Sequence, residues 1–183
     1  MRIVTNRDLE TAIARLSRRS PESLAAFITS LAQDSGPIGE QVRTFIVGDD
    51  LNEAMASIKE RIDQLRHLRD RSHRQHSGEV VGQRLDALLD AIQTLVLPRD
   101  PRGALELLLL LIERDADAME SCGDYHDSVQ SAVDRAAGLI AKAGQSQQPH
   151  EVRMTLTRLV AEDAYGTRRS LAAVMEAFAQ GGS

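Results

Sequence analysis

The sequence predicts an all-α fold, and three observations lead to that prediction. The 183 residues include 22 Leu and 23 Ala but only five aromatic residues and no Trp, a composition that favours helices over strands. Apolar residues recur at spacings of three and four, whereas no run of alternating apolar and polar residues is long enough for a strand. Most apolar stretches begin and end at residues that start or stop helices, so we expect about nine helices.

The first 48 residues carry signals for short helices over residues 5–16, 20–31 and 37–48. Ser20 is a helix cap, and Pro21 occupies the first helical position, where its missing N–H costs nothing. The Gly36-Pro37 pair breaks the second helix and starts the third, and Gly48 ends it.

The middle of the chain predicts two longer amphipathic helices, separated by a polar stretch over residues 69–78. Asp49 or Asp50 can cap the first, whose apolar residues advance by three or four up to Leu68. The second covers residues 81–95 and ends before a proline.

A leucine-rich helix follows the Asp100-Pro101 pair, which repeats the signal of a cap and a first-turn proline. Residues 105–112 are apolar nearly all round, broken only by Glu106. Because a surface helix cannot tolerate that pattern, we expect this helix at the centre of the fold.

Three further helices complete the prediction. Small apolar residues define one that ends at Gly144, and Pro149 opens the next. Tyr165 and Gly166 close that helix, the glycine as a cap and the tyrosine in a groove. Thr167 is expected to cap the last helix.

Short polar connections favour antiparallel neighbours, so we expect helical hairpins in a single domain over residues 1–180, with a frayed tail over 181–183. Successive hairpins begin about 31 to 46 residues apart, a spacing typical of helical repeats, although the residues show no convincing self-similarity. An irregular α-solenoid of the TPR or HEAT kind is the first expectation, and a closed helical bundle is the second.

Composition excludes several classes of protein. With 27 acidic and 22 basic residues the net charge is −5, so the chain as a whole is not attracted to nucleic acid or to an anionic membrane. The single Cys122 rules out an intrachain disulfide framework and fits a reducing compartment. The N-terminus is too charged for a secretory signal, and the longest apolar run is too short for a membrane span. We expect a soluble, cytoplasmic protein.

Three stretches share their leucine spacing and helix order with a known family, namely Asn6 to Leu31, Leu85 to Ala143, and Leu159 through the closing helix. They resemble a bacterial family of uncharacterised helical domains, domain-of-unknown-function family 6880. The resemblance implies a repeat-like α-helical domain with no assigned activity, sometimes fused to SWIM-type zinc-finger segments. One Cys cannot supply a SWIM motif, and basic and His residues stand between Leu68 and Val80 where the family's aromatic residues are expected.

The most unusual local feature is the Arg- and His-rich segment over residues 66–76, the basic stretch, with a formal charge of +3. Its arginines, Arg66, Arg69, Arg71 and Arg74, can bind phosphates or carboxylates through bidentate hydrogen bonds. No aromatic residue in the stretch could stack on bases. A solvated helix end or loop, a protein contact and a nucleic-acid contact all stay open.

Asp70, His73 and His76 lie at intervals of three within the basic stretch and would share one face of a helix. Zinc normally takes a fuller set of ligands, and nothing nearby completes one. The sequence therefore assigns no metal site.

The acidic stretch over residues 113–127 carries a formal charge of −5, which favours a solvated helix end and loop. Pairing with the basic stretch, within the chain or across a dimer, is the alternative. Cys122, Asp124 and His126 are close in sequence, but that spacing guarantees neither a lowered thiol pKa nor hydrogen-bond geometry. No P-loop, dinucleotide, zinc-protease or serine-hydrolase motif is present.

The sequence thus predicts a non-enzymatic protein-interaction or scaffold domain without catalytic residues, cofactor or metal. The expected contact residues are the four arginines of the basic stretch and Tyr165, and the expected partner is an unidentified protein or a second copy of the chain. A nucleic-acid-associated accessory role through the basic stretch is the alternative. An uncharacterised hydrolase using His126 is the third hypothesis.

Overall fold

The computed structural model describes residues 14–33, 38–39, 42–43, 46, 50–66, 78–122, 127–145, 147 and 149–180. Within these ranges the regular secondary structure is entirely helical, which confirms the all-α prediction. The chain divides into two compact units, Met1–Arg43 and Thr44–Ser183. The expectation of a single domain over residues 1–180 stays a prediction.

Helix α1, Pro21–Ala32, belongs to the first unit. The second unit contains α2 Leu51–Asp63, α3 Gly78–Ala91, α4 Pro101–Glu113, α5 Asp115–Cys122, α6 Asp127–Gly144, α7 Pro149–Ala161 and α8 Arg169–Gln180. None of the helices in the described ranges is both long enough and apolar enough to cross a bilayer.

Three of the predicted helix caps are present. Ser20 Oγ accepts a hydrogen bond from the amide of Ser23 at 3.3 Å at the start of α1. The Asp50 carboxylate accepts two amide hydrogen bonds in the first turn of α2, and Asp100 Oδ1 accepts one from Gly103 at 2.9 Å in α4. Each cap satisfies amide groups that a helix leaves without partners, a contribution of about 1 kcal/mol.

The core of the second unit is built around α4, which packs against α2, α5 and α6. Its residues Ala104, Leu108 and Ile112 are fully buried, as the leucine-rich pattern predicts. The burial does not extend all round the helix, however, because Leu109 and Leu110 are only half-buried. One apolar strip of the central helix is therefore left partly open.

Helix α3 does not continue as a regular α-helix to Leu95 but passes into a π-helical turn, Ile92–Val96. Beside that turn, Arg135 of α6 donates hydrogen bonds to Asp86, Asp90 and Gln93. Burial lowers the pKa of Arg135, but the hydrogen bonds and charges of the two aspartates outweigh it and raise the pKa. These hydrogen bonds connect α6 to α3 and to the π-helical turn on the solvent-exposed side.

Helices α3 and α6 cross so closely that a side chain at Gly82 has no room. A Cβ there would lie 2.6 Å from Ser128 Cβ and 3.2 Å from the Ser128 carbonyl carbon. We expect Gly82→Ala to lower the free energy of unfolding by about 1–3 kcal/mol, because the two helices must separate. Urea denaturation followed by circular dichroism at 222 nm measures this change.

Gly138→Ala is the matched control, since Gly138 lies on the exposed face of α6 with nothing within 4 Å of a built Cβ. It should stabilise the protein by about 0.5–1 kcal/mol, because alanine restricts the unfolded chain more than glycine does. Equal effects of the two substitutions would contradict the close crossing.

Candidate functional site

The residues predicted to form a contact surface are placed only in part. Arg69, Arg71 and Arg74 lie outside the described residues, and Arg66 ends a 3₁₀ turn, Gln64–Arg66, after α2. The contact role of the basic stretch therefore stays a prediction. In the hydrolase hypothesis, His126 and Asp124 also fall outside the described residues.

Tyr165 does not lie in a groove as predicted. Its side chain is 47% exposed, and its hydroxyl donates a hydrogen bond to Glu120 Oε1 at 3.1 Å. Helix α7 ends earlier than predicted, at Ala161, and Gly166 adopts a left-handed φ of 71° inside the loop that follows. The phenol thus connects the α7–α8 loop to α5 from the outside.

Three residues of that loop and the first residue of α5 form a largely buried polar cluster, the polar clasp, which consists of Asp115, Asp163, Thr167 and Arg168. Arg168 and Asp115 are 4% and 3% exposed and form a bidentate pair, with Nε to Oδ2 at 2.9 Å and Nη2 to Oδ1 at 2.6 Å. The Thr167 hydroxyl donates to the same Oδ2 at 2.7 Å. Asp163 accepts the backbone amides of Thr167 and Arg168, both at 3.1 Å.

The guanidinium of Arg168 also caps two helices. It donates to the carbonyl of Leu159 at 2.7 Å and to that of Ile112 at 3.0 Å, which lie in the last turns of α7 and α4. A cation is favoured at the C-terminal end of a helix, and Asp115 in turn lies at the N-terminal end of α5, where an anion is favoured. The polar clasp therefore stabilises three helix ends at one point.

The polar clasp corrects two predictions. Asp115 is not part of a solvated helix end, because it is buried and paired with Arg168. Thr167 does not occupy the cap position of α8, since the helix begins at Arg169 and the Thr167 hydroxyl donates to Asp115 instead. Burial lowers the pKa of Arg168, but hydrogen bonds and charge from Asp115 outweigh it and raise the pKa, so the residue is fixed as a cation.

A groove of about 540 Å³ lies between α2 and α4, on the side where the central helix is left open. Its apolar lining comes from Met55 and Ala56 of α2 and from Gly103, Leu107, Leu109 and Leu110 of α4. The volume lies within the range of about 300–1,000 Å³ that is typical of ligand clefts.

Three charged side chains also line the groove. Lys59 stands on the α2 wall, and Glu106 and Glu113 stand on the α4 wall. Glu106 accepts a hydrogen bond from Arg102 at 3.3 Å, and Glu113 is paired with Arg158 of α7. The groove can therefore supply apolar contact and ion pairing to an occupant.

Comparison with known proteins identifies a family for this chain. No curated protein and no solved structure matches the chain significantly. Within the described residues, no group of three or more His, Cys, Asp or Glu side chains is arranged to hold a metal ion. The model of a Family of unknown function (DUF6880) matches residues 11–181, nearly the whole chain with its helical second unit, and the chain belongs to that family.

Proposed function

We propose that this protein is a non-enzymatic interaction domain that holds a helical segment of a protein partner in the groove between α2 and α4. The observation that carries the proposal is the position of Leu109 and Leu110, which leave part of the core helix uncovered at the groove. Apolar side chains collected in a concave surface are typical of partner-binding sites. An amphipathic helix in an apolar groove is a recurring mode of recognition.

The polar clasp supports a binding role over a catalytic one. Its buried carboxylate and guanidinium use their hydrogen-bonding atoms on each other, on Thr167 and on two helix ends. A group engaged in this way acts to fix the fold rather than to transfer protons.

A repeated arrangement of the helices also supports the proposal. Helices α2, α4 and α7 place apolar residues at matching positions, which are Ala54, Ile58 and Ile62, then Ala104, Leu108 and Ile112, then Val152, Leu156 and Val160. All of them are buried except Val160, which is partly buried. Helices α3 and α6 match at an offset of 48 residues, with Val81, Leu85, Leu88, Leu89 and Ile92 followed by Val129, Val133, Ala136, Ala137 and Ile140. We infer that the successive helix pairs α3–α4 and α6–α7 are copies of one repeat.

The repeat explains why one face stays open. Ala56 and Lys59 in α2 correspond to Glu106 and Leu109 in α4, and the four side chains line the groove from its two walls. In stacked helical repeats, equivalent helices present one extended face to a partner. The groove lies on that face.

Leu110→Asp tests the proposal. We expect helical peptides selected from a display library on the wild-type protein to bind this variant at least about tenfold more weakly, because a carboxylate replaces an apolar anchor. Fluorescence anisotropy with the selected peptides measures the affinity.

Leu95→Asp is the matched control, because Leu95 is also partly buried but does not line the groove. It should leave peptide binding unchanged, and circular dichroism should show both variants folded. Selection of no helical peptide, or equal binding to the two variants, would refute the proposed function.

A further inference from the structure

Resting on that proposed function, we infer that the helix bound in the groove carries an acidic side chain beside its apolar stripe and that this carboxylate pairs with Lys59. The inference names the chemistry of the partner. It follows from the charges on the two walls of the groove and from the length of its apolar lining.

The positive charge of Lys59 on the α2 wall has no counter-charge in the part of the chain that the structure describes. Lys59 is exposed, lines the groove, and has no carboxylate oxygen of a described residue within 4.0 Å of its amine. On the opposite wall, Glu106 and Glu113 already pair with Arg102 and Arg158. A bound helix therefore complements the groove with a negative charge, and that charge lies on the side of the bound helix that faces α2.

Lys59 is also unusual because lysine is rare in this chain. The chain has 20 Arg but only two Lys, and the other is Lys142 at the end of α6. A lysine can lay its aliphatic stem along an apolar occupant and still present its ammonium group at the rim. Lys59 thus suits a contact that is apolar along its floor and ionic at its edge.

The length of the groove fits a short helix. Its α4 wall extends from Gly103 to Glu113, which is about 15 Å along the helix axis. Apolar anchors at positions i, i+3, i+4 and i+7 of a bound helix span about 10 Å and fit within that length. A carboxylate on the neighbouring position of the same helix can then reach the rim.

The test uses the full chain and two fluorescein-labelled helical peptides of about 15 residues. Both carry leucines at i, i+3, i+4 and i+7, and they differ only in having Glu or Lys beside the stripe. We expect the Glu peptide to bind the wild type about fivefold to tenfold more tightly. Lys59→Glu should reverse this preference, whereas Lys142→Glu, the matched control, should leave it unchanged.

A carbodiimide that joins carboxylates to amines provides a second readout. We expect it to link the Glu peptide to Lys59 and not to Lys142, as peptide mapping by mass spectrometry would show. Cross-linking that persists in the Lys59→Glu variant would overturn the inference.

The outcomes separate this inference from the proposed function. Peptides that bind equally well with Glu or Lys, and lose affinity in Leu110→Asp, would overturn the charge preference but keep the groove as a binding site. Preference for the Lys peptide would assign the contact to the α4 carboxylates instead. Displacement of the Glu peptide by dodecanoate would replace the helical partner with a fatty-acid ligand. A dimer that light scattering detects for the wild type and not for Leu110→Asp would replace it with a second copy.

Discussion

Replacing Arg168 with Leu is expected to lower the free energy of unfolding by about 3–5 kcal/mol, the range for breaking a buried ion pair from one side. The substitution leaves the Asp115 carboxylate buried, with the Thr167 hydroxyl as its one remaining donor among the described residues. It also removes the donors to the carbonyls of Leu159 and Ile112 at the ends of two helices. Urea denaturation followed at 222 nm suits this measurement, because the chain contains no Trp.

Two further variants make the prediction specific to the pair. Arg168→Leu combined with Asp115→Leu should recover part of the loss, because the second change removes the uncompensated buried charge. Arg158→Leu is the exposed control, since its side chain is 49% exposed, and it should cost about 1 kcal/mol or less. A double variant as unstable as the sum of the two single ones would contradict the pairing.

The sequence predicts the parts of this fold that depend on neighbouring residues. Ser20, Asp50 and Asp100 cap helices because their side chains reach amides two or three residues ahead, and such spacing can be read directly. The apolar periodicity of α4 likewise places Leu108 and Ile112 in the core. Local chemistry and helical period therefore suffice for the fold class and for most described helix starts.

The polar clasp could not be predicted in the same way. Arg168 meets Asp115 across 53 residues, and nothing in the sequence ranks that pair above the other acidic and basic residues. One signal was available, since Gly166 marks a turn that brings the two residues after it back toward the core. A charged residue next to such a turn is a candidate for a buried contact.

The groove could not be predicted from the leucine run, although that run predicts the core helix. Residues 105–112 are apolar nearly all round, so periodicity alone cannot show which side lacks a neighbour. The proposed repeat leaves little self-similarity in the sequence, because its copies match mainly in burial: Leu88 and Leu89 correspond to Ala136 and Ala137. Small residues in α6 allow close packing and conceal the relation to α3.

Leu108→Ala is expected to lower the free energy of unfolding by about 2–5 kcal/mol, because it removes three carbon atoms from a fully packed site on the central helix. Leu108 is completely buried in the core, and α2 and α6 both pack on its helix. The midpoint of urea denaturation should fall while its slope stays constant, as expected when stability changes and the exposed surface does not.

Leu109→Ala should reduce peptide affinity more than it reduces stability, which is the reverse of Leu108→Ala. The two substitutions therefore separate folding from binding along one helix. Leu109 is half-buried and lines the groove, so its loss should cost only about 1 kcal/mol of stability. It should nevertheless weaken the selected helical peptides, whereas Leu108→Ala should leave their affinity nearly unchanged at temperatures where the variant is folded. If Leu109→Ala instead destabilises the protein as strongly as Leu108→Ala and binds peptides normally, the exposed strip of α4 belongs to the core and the groove is not a binding site.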